Sequence, residues 1–168
     1  GLGDVYKRQY RNWIAGLVRG LGGTPSTVVL EPDAVPQEIS GCVDGGLRDE
    51  RYVLLGQAID ALKDGGAAVY VDAGNPGFVT DVGALAGALK RSGVARADGF
   101  SLNVANFYST AANVAFGKMI SQKLGGVHFV IDTSRNGRGP ASKAEIGAAP
   151  EYCNPPGRGL SLIHISEP

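Results

Sequence analysis

Four times in succession, a helical pattern of apolar residues is followed by a short, almost wholly apolar run, with glycine punctuating the joints. Residues 10–21 place Trp13, Ile14, Leu17, Val18 and Leu21 at helical spacing, and Gly22-Gly23-Thr24-Pro25 ends that helix. The same reading predicts helices over 47–63, 82–91 and 111–124, the second carrying Val53, Leu54, Ala58, Ile59, Ala61 and Leu62. Strands are predicted over 27–30, 67–71, 99–104 and 127–131. Strands separated by helices pair in parallel, because a parallel pair needs a crossover connection. Their nearly continuous apolarity is that of strands covered on both faces. The fold class is therefore α/β with a parallel sheet. After residue 132 the pattern stops, and Gly, Pro, Ala, Ser and Asn dominate to residue 159, which reads as a long loop.

Composition narrows the function classes. The chain has 168 residues, 43% hydrophobic, so one packed domain is within reach. Sixteen basic residues balance 16 acidic ones, and no Lys or Arg run marks a nucleic-acid or anionic-lipid surface. No apolar stretch approaches the roughly 18 residues of a membrane span. Cys42 and Cys153 are far apart, and with only His128 and His164 beside them a zinc cluster is not expected.

The chemistry collects where the strands end. The first run closes in Glu31-Pro32-Asp33, the second in Asp72-Ala73-Gly74-Asn75, the third in Asn103 with Asn106 behind it, and the fourth in Asp132 with Arg135 following. In parallel α/β folds this edge is where ligands bind. Asp and Asn also follow strands as turn residues and helix N-caps, which is the plainer account of any one of them. A carboxylate or amide at all four strand ends points instead to a ligand rich in hydroxyls, or to a hard cation such as Mg²⁺ held by Asp33, Asp72 and Asp132. Pro32 restricts Glu31 to extended geometry. A buried Asp33 would favour its neutral form, the state a general acid needs. No nucleophile elbow, phosphate-binding loop or His-Glu-x-x-His is present.

The segments VVLEPDAV, YVDAGNPGF, LNVANFYST, HFVIDTSRNGRGP and EYCNPPGRGL resemble, in order, the motifs of glycoside hydrolase family 6, the secreted enzymes that cleave β-1,4-glucan with inversion. The resemblance covers nearly all of residues 10–160 and is nearer the bacterial endoglucanases than the fungal exo-acting branch. It implies part of a distorted seven-stranded (β/α) barrel, action on cellulose or soluble cello-oligosaccharides, no cofactor, a monomer, and no nucleic-acid or membrane partner. It implies Asp33 as general acid. It implies substrate binding by Asp72, Asn75, Phe78, Asn103, Asn106, Asp132, Arg135 and Tyr152, with Asn103 supporting the Asn106 loop. Three positions depart from the family: Asn75 stands where His is usual, and Phe78 and Tyr152 stand where Trp is usual.

Two family segments are not in this chain: an upstream Asp-Cys motif, and a downstream Pro-Gly-Glu-x-Asp-Gly-like segment carrying the usual candidate base. The resemblance thus implies an inactive fragment, and Cys42 and Cys153 separated from their usual partners. Residues 1–9 and 161–168 interrupt the pattern and read as non-native, adapter-derived ends, His164 among them, around a catalytic-domain fragment spanning 10–160. A relative that binds glucan without cleaving it is the alternative.

Overall fold

A computed structural model describes residues 2–42, 45–142, 155 and 157–159. Its elements run α1 (Leu2–Leu21), β1 (Thr27–Leu30), α2 (Ala34–Ile39), α3 (Gly45–Asp64), β2 (Ala68–Asp72), α4 (Val82–Arg91), β3 (Gly99–Leu102), α5 (Thr110–Lys123) and β4 (Phe129–Ile131). The four strands form one parallel sheet in the order β1-β2-β3-β4. Thr27 pairs with Ala68, Asp72 with Ser101, and Leu102 with Ile131.

The core lies between the helices and one face of this sheet. Leu55, Ile59 and Leu62 of α3, Leu85 and Leu89 of α4, and Phe116 and Ile120 of α5 pack with Val69, Val71, Phe100 and Leu102. Phe100 and Phe129 stack with ring centroids 5.3 Å apart. Gly99 is required at the β3–β4 joint, since a Cβ there would lie 2.1 Å from the His128 carbonyl oxygen.

Several expectations need correction. All four β3 residues are buried, but β1 and β4 are edge strands here: Thr27 and Val29 are exposed, Val28 and all of β4 are half-buried, and Leu30 alone of the two strands is buried. Trp13 and Val53, counted with the inward faces of their helices, are 62% and 57% exposed. Helix α1 begins at Leu2 rather than residue 10: no proline interrupts the leading segment, and Lys7 bridges to Glu50 of α3 at 3.0 Å. β3 stops at Leu102, two residues early, because Asn103 turns left-handed with φ 65°.

Helix α2 was not anticipated. It is six residues long and holds Pro36 in its first turn, where the missing N–H costs no helical bond. Glu38 anchors it. This buried carboxylate meets Arg51 Nε at 3.0 Å and Arg48 Nε at 3.5 Å, both from α3. The ion pairs thus fix the path of the chain directly after Asp33.

Candidate active site

A cleft of about 470 Å³ opens at the C-terminal edge of the sheet, lined by Asp33, Asn75, Gly77, Phe78, Val104, Ala105, Asn106, Tyr108 and Arg135. Five of the residues singled out from sequence therefore share one concavity. Backbone strain gathers at the same edge. The four described non-glycine residues with positive φ are Glu31 (48°), Asp33 (69°), Asn103 (65°) and Ala105 (51°), all within three residues of the end of β1 or β3, so Glu31 is left-handed and not extended as the following Pro32 predicts. Such conformations persist only where surrounding contacts over-determine them.

Asp33 occupies the N-cap position of α2, yet its side chain makes no capping bond. Asp81 and Ser109, at the equivalent positions of α4 and α5, accept from the N–H groups of Ala84 at 2.8 Å and Ala112 at 3.2 Å. The difference is conformational. A capping residue normally sits in the β region, whereas Asp33 is left-handed, which turns its carboxylate away from the helix and towards the cleft. Asp33 is exposed, so the burial expected for it is absent. That burial falls on Asp72 instead. Glu31, two residues earlier, lines a separate groove with Tyr10, Gln37 and Arg51, so the two carboxylates flanking Pro32 face different spaces.

Asp72 is 1% exposed. Its Oδ2 accepts the Asp33 N–H at 2.8 Å and the Gly74 N–H at 3.2 Å, and its Oδ1 lies 3.4 Å from the Ser101 hydroxyl. Burial pushes its carboxyl up to about 6, against the pull of these hydrogen bonds. Asp132 has the opposite balance. Burial pushes it upward, but hydrogen bonds from Ser134 and the Ala105 N–H, with the Arg135 charge, outweigh that and hold it below the ordinary value. Its oxygens receive the N–H groups of Ala105 and Ser134, each at 2.8 Å.

The three aspartates therefore do not make a cation site. Two have their oxygens engaged by backbone donors, and among the described residues no cluster of three metal-ligating side chains exists. The Mg²⁺ reading loses its basis.

The amides divide by role. Asn103 is 0% exposed; its Nδ2 donates to the carbonyls of Tyr108 (3.1 Å), Asp132 (2.9 Å) and Asn106 (3.3 Å), and its Oδ1 accepts the Tyr108 N–H (3.1 Å). It ties the β3 loop to the end of β4 and has no face on the cleft. Asn75 Oδ1 accepts the N–H groups of Gly77 (3.0 Å) and Phe78 (3.1 Å), shaping the loop that presents the Phe78 ring, itself 38% exposed. Asn106 lines the cleft directly. Arg135 lies over the Phe107 ring at 4.5 Å and donates to the Ala105 carbonyl, closing one wall. Tyr152 and Cys153 lie outside the described residues. Cys42 is a free, exposed thiol.

Tyr108 escaped the sequence reading. Its hydroxyl lies over Gly77, where a Cβ would come within 1.7 Å of the oxygen. The signal available was the aromatic following Phe107 inside the already conspicuous LNVANFYST segment, opposite a glycine that leaves room for it.

Comparison with known proteins matches this arrangement to one group. Endoglucanase A of Cellulomonas fimi is 40% identical over 158 residues, covering 94% of this chain and 32% of that protein. Endoglucanase 1 of Streptomyces halstedii is 37% identical over 156 residues, covering 89% and 45%. The structure of the endoglucanase Cel6 from Mycobacterium tuberculosis, in complex with methyl-cellobiosyl-4-deoxy-4-thio-β-D-cellobioside, superposes with a TM-score of 0.81 at 44% identity, over 92% of this chain and 51% of that one. The chain thus spans about a third to a half of the length of these relatives, and its four strands are part of a distorted barrel. The family described as Glycosyl hydrolases family 6 matches residues 2–164, and this chain belongs to it.

Proposed function

We propose that the whole protein is a secreted, inverting glycoside hydrolase that cleaves β-1,4-glucosidic bonds in cellulose or a related glucan, with Asp33 as general acid. One observation carries the reading: the Asp33 carboxylate sits at a helix N-cap, takes no part in capping, and faces a cleft furnished with Phe78, Tyr108, Asn75 and Asn106. Aromatic rings stack on the apolar faces of a pyranose, and amides match its hydroxyls. The cello-oligosaccharide analogue bound by the Mycobacterium tuberculosis relative supports a glucan ligand.

Inversion needs two carboxyl groups roughly 6.5–9.5 Å apart, one donating a proton and one activating water. Among the described residues that line this cleft, Asp33 is the only carboxylate; Asp72 and Asp132 serve backbone donors. The chain by itself is accordingly proposed to hold glucan without turning it over.

The test uses the full-length parent. Asp33→Asn is expected to lower kcat on the order of a hundredfold or more while KM changes little. A parent enzyme with undiminished turnover after this substitution removes Asp33 from the mechanism.

A further inference from the structure

We propose that Asp72 is the positioning residue of the acid, its carboxylate pinning two left-handed backbone turns so that the Asp33 side chain is aimed into the cleft. This rests on the reading of Asp33 as the acid. The geometry is unusual in one respect: a single oxygen, Asp72 Oδ2, collects the N–H of Asp33 from the loop after β1 and the N–H of Gly74 from the loop after β2. Both donors are left-handed, with φ of 69° and 73°. Gly74 adopts that conformation readily; an aspartate adopts it at some cost, so a restraint that favours it at Asp33 has an effect. A fully buried carboxylate 2.8 Å from its N–H supplies the restraint.

The restraint has a chemical consequence. Were Asp33 to relax to the extended geometry of an ordinary N-cap, its carboxylate would turn back onto the α2 N–H groups and leave the cleft, as Asp81 does at α4. Asp72 is itself 1% exposed and its oxygens are occupied, so its influence on a sugar passes through Asp33. The titratable group whose charge acts on Asp72 is Asp33; Ser101 faces it from β3 as an uncharged donor.

The direct test needs no turnover. In ¹H–¹⁵N and carboxyl ¹³C spectra of this chain, the Asp33 and Gly74 amide protons are expected to shift together as the Asp72 carboxyl titrates, with one shared midpoint. In Asp72→Asn those shifts disappear while both amides keep their downfield positions, because the amide oxygen still accepts. Amides that ignore Asp72 ionisation in the native chain overturn the proposal. In the full-length parent, Asp72→Ala is expected to lower kcat on the order of a hundredfold with KM held, and Asp72→Asn to recover most of it. Equal losses in both variants also overturn it. If the amides follow Asp72 but Asp33→Asn leaves turnover intact, the pin stands and the assignment of the acid fails.

Discussion

Asp72→Asn tests the energetic account of the site through stability alone. Burial pushes the Asp72 carboxyl up to about 6 in the folded chain, against an ordinary value of 3.8. A gap of about 2 pKa units corresponds to about 3 kcal/mol. The sign follows from which state holds the proton more tightly. Here the folded state does, so the contribution of Asp72 is fully present below about pH 4, falls as the pH rises towards 6, and stays lost above it. Glu38, pushed upward by burial, acts in the same direction. Asp132, held low, contributes stability above its ordinary value that is lost only as the pH falls further.

A raw pH–stability curve therefore mixes several groups, and the comparison must be between native chain and variant. Asparagine does not titrate and keeps an acceptor for the same two N–H groups. Urea unfolding followed by far-UV circular dichroism, at pH 3.5 and at pH 7, gives the difference between the two proteins at each pH. That difference is expected to move in favour of the variant by about 3 kcal/mol on going to pH 7. Parallel curves for the two proteins would refute the claim that burial of the Asp72 charge is a standing cost of this fold. Such a cost is a destabilising arrangement retained at a functional edge.

Two further substitutions probe the walls of the cleft. Gly77→Ala drives a methyl into the Tyr108 hydroxyl, and is expected to cost about 1–3 kcal/mol and to weaken cello-oligosaccharide binding measured calorimetrically; unchanged binding would mean Tyr108 is not part of the ligand surface. Asn103→Ala removes the side chain that joins the Asn106–Tyr108 loop to Asp132, and the buried groups it leaves unpaired are expected to cost on the order of 3 kcal/mol, with faster exchange of the Tyr108 amide. A Tyr108 amide as protected as before would show that the loop is held by other contacts.

Much of this fold is legible without coordinates because its signals are local. The Asp81 and Ser109 caps and the glycines after each helix lie within a few residues of the boundaries they set. Helix α4 and strand β1 consequently begin and end where the pattern places them. Helix α2 was invisible for the opposite reason. Six residues with a proline carry no period, and what makes them helical is the attachment of Glu38 to Arg51, 13 positions away in the chain. The exposure of Trp13 was equally hidden, since a helical period fixes which residues share a face but not how far the packing partner extends.

The sequence by itself determined that carboxylates and amides stand at the ends of parallel strands, because the alternation of helix and strand forces all four ends to one edge. It could not assign them different tasks. Asp33, Asp72 and Asp132 are the same residue type at like positions, yet one faces the cleft, one is buried beneath it, and one holds a loop. Only the tertiary structure decided among them. Desolvation and backbone conformation depend on what the neighbouring strands bring alongside: Asp72 is buried under the Asp33 and Gly74 loops, and Asp33 is turned outward by the hydrogen bond from its own N–H to Asp72.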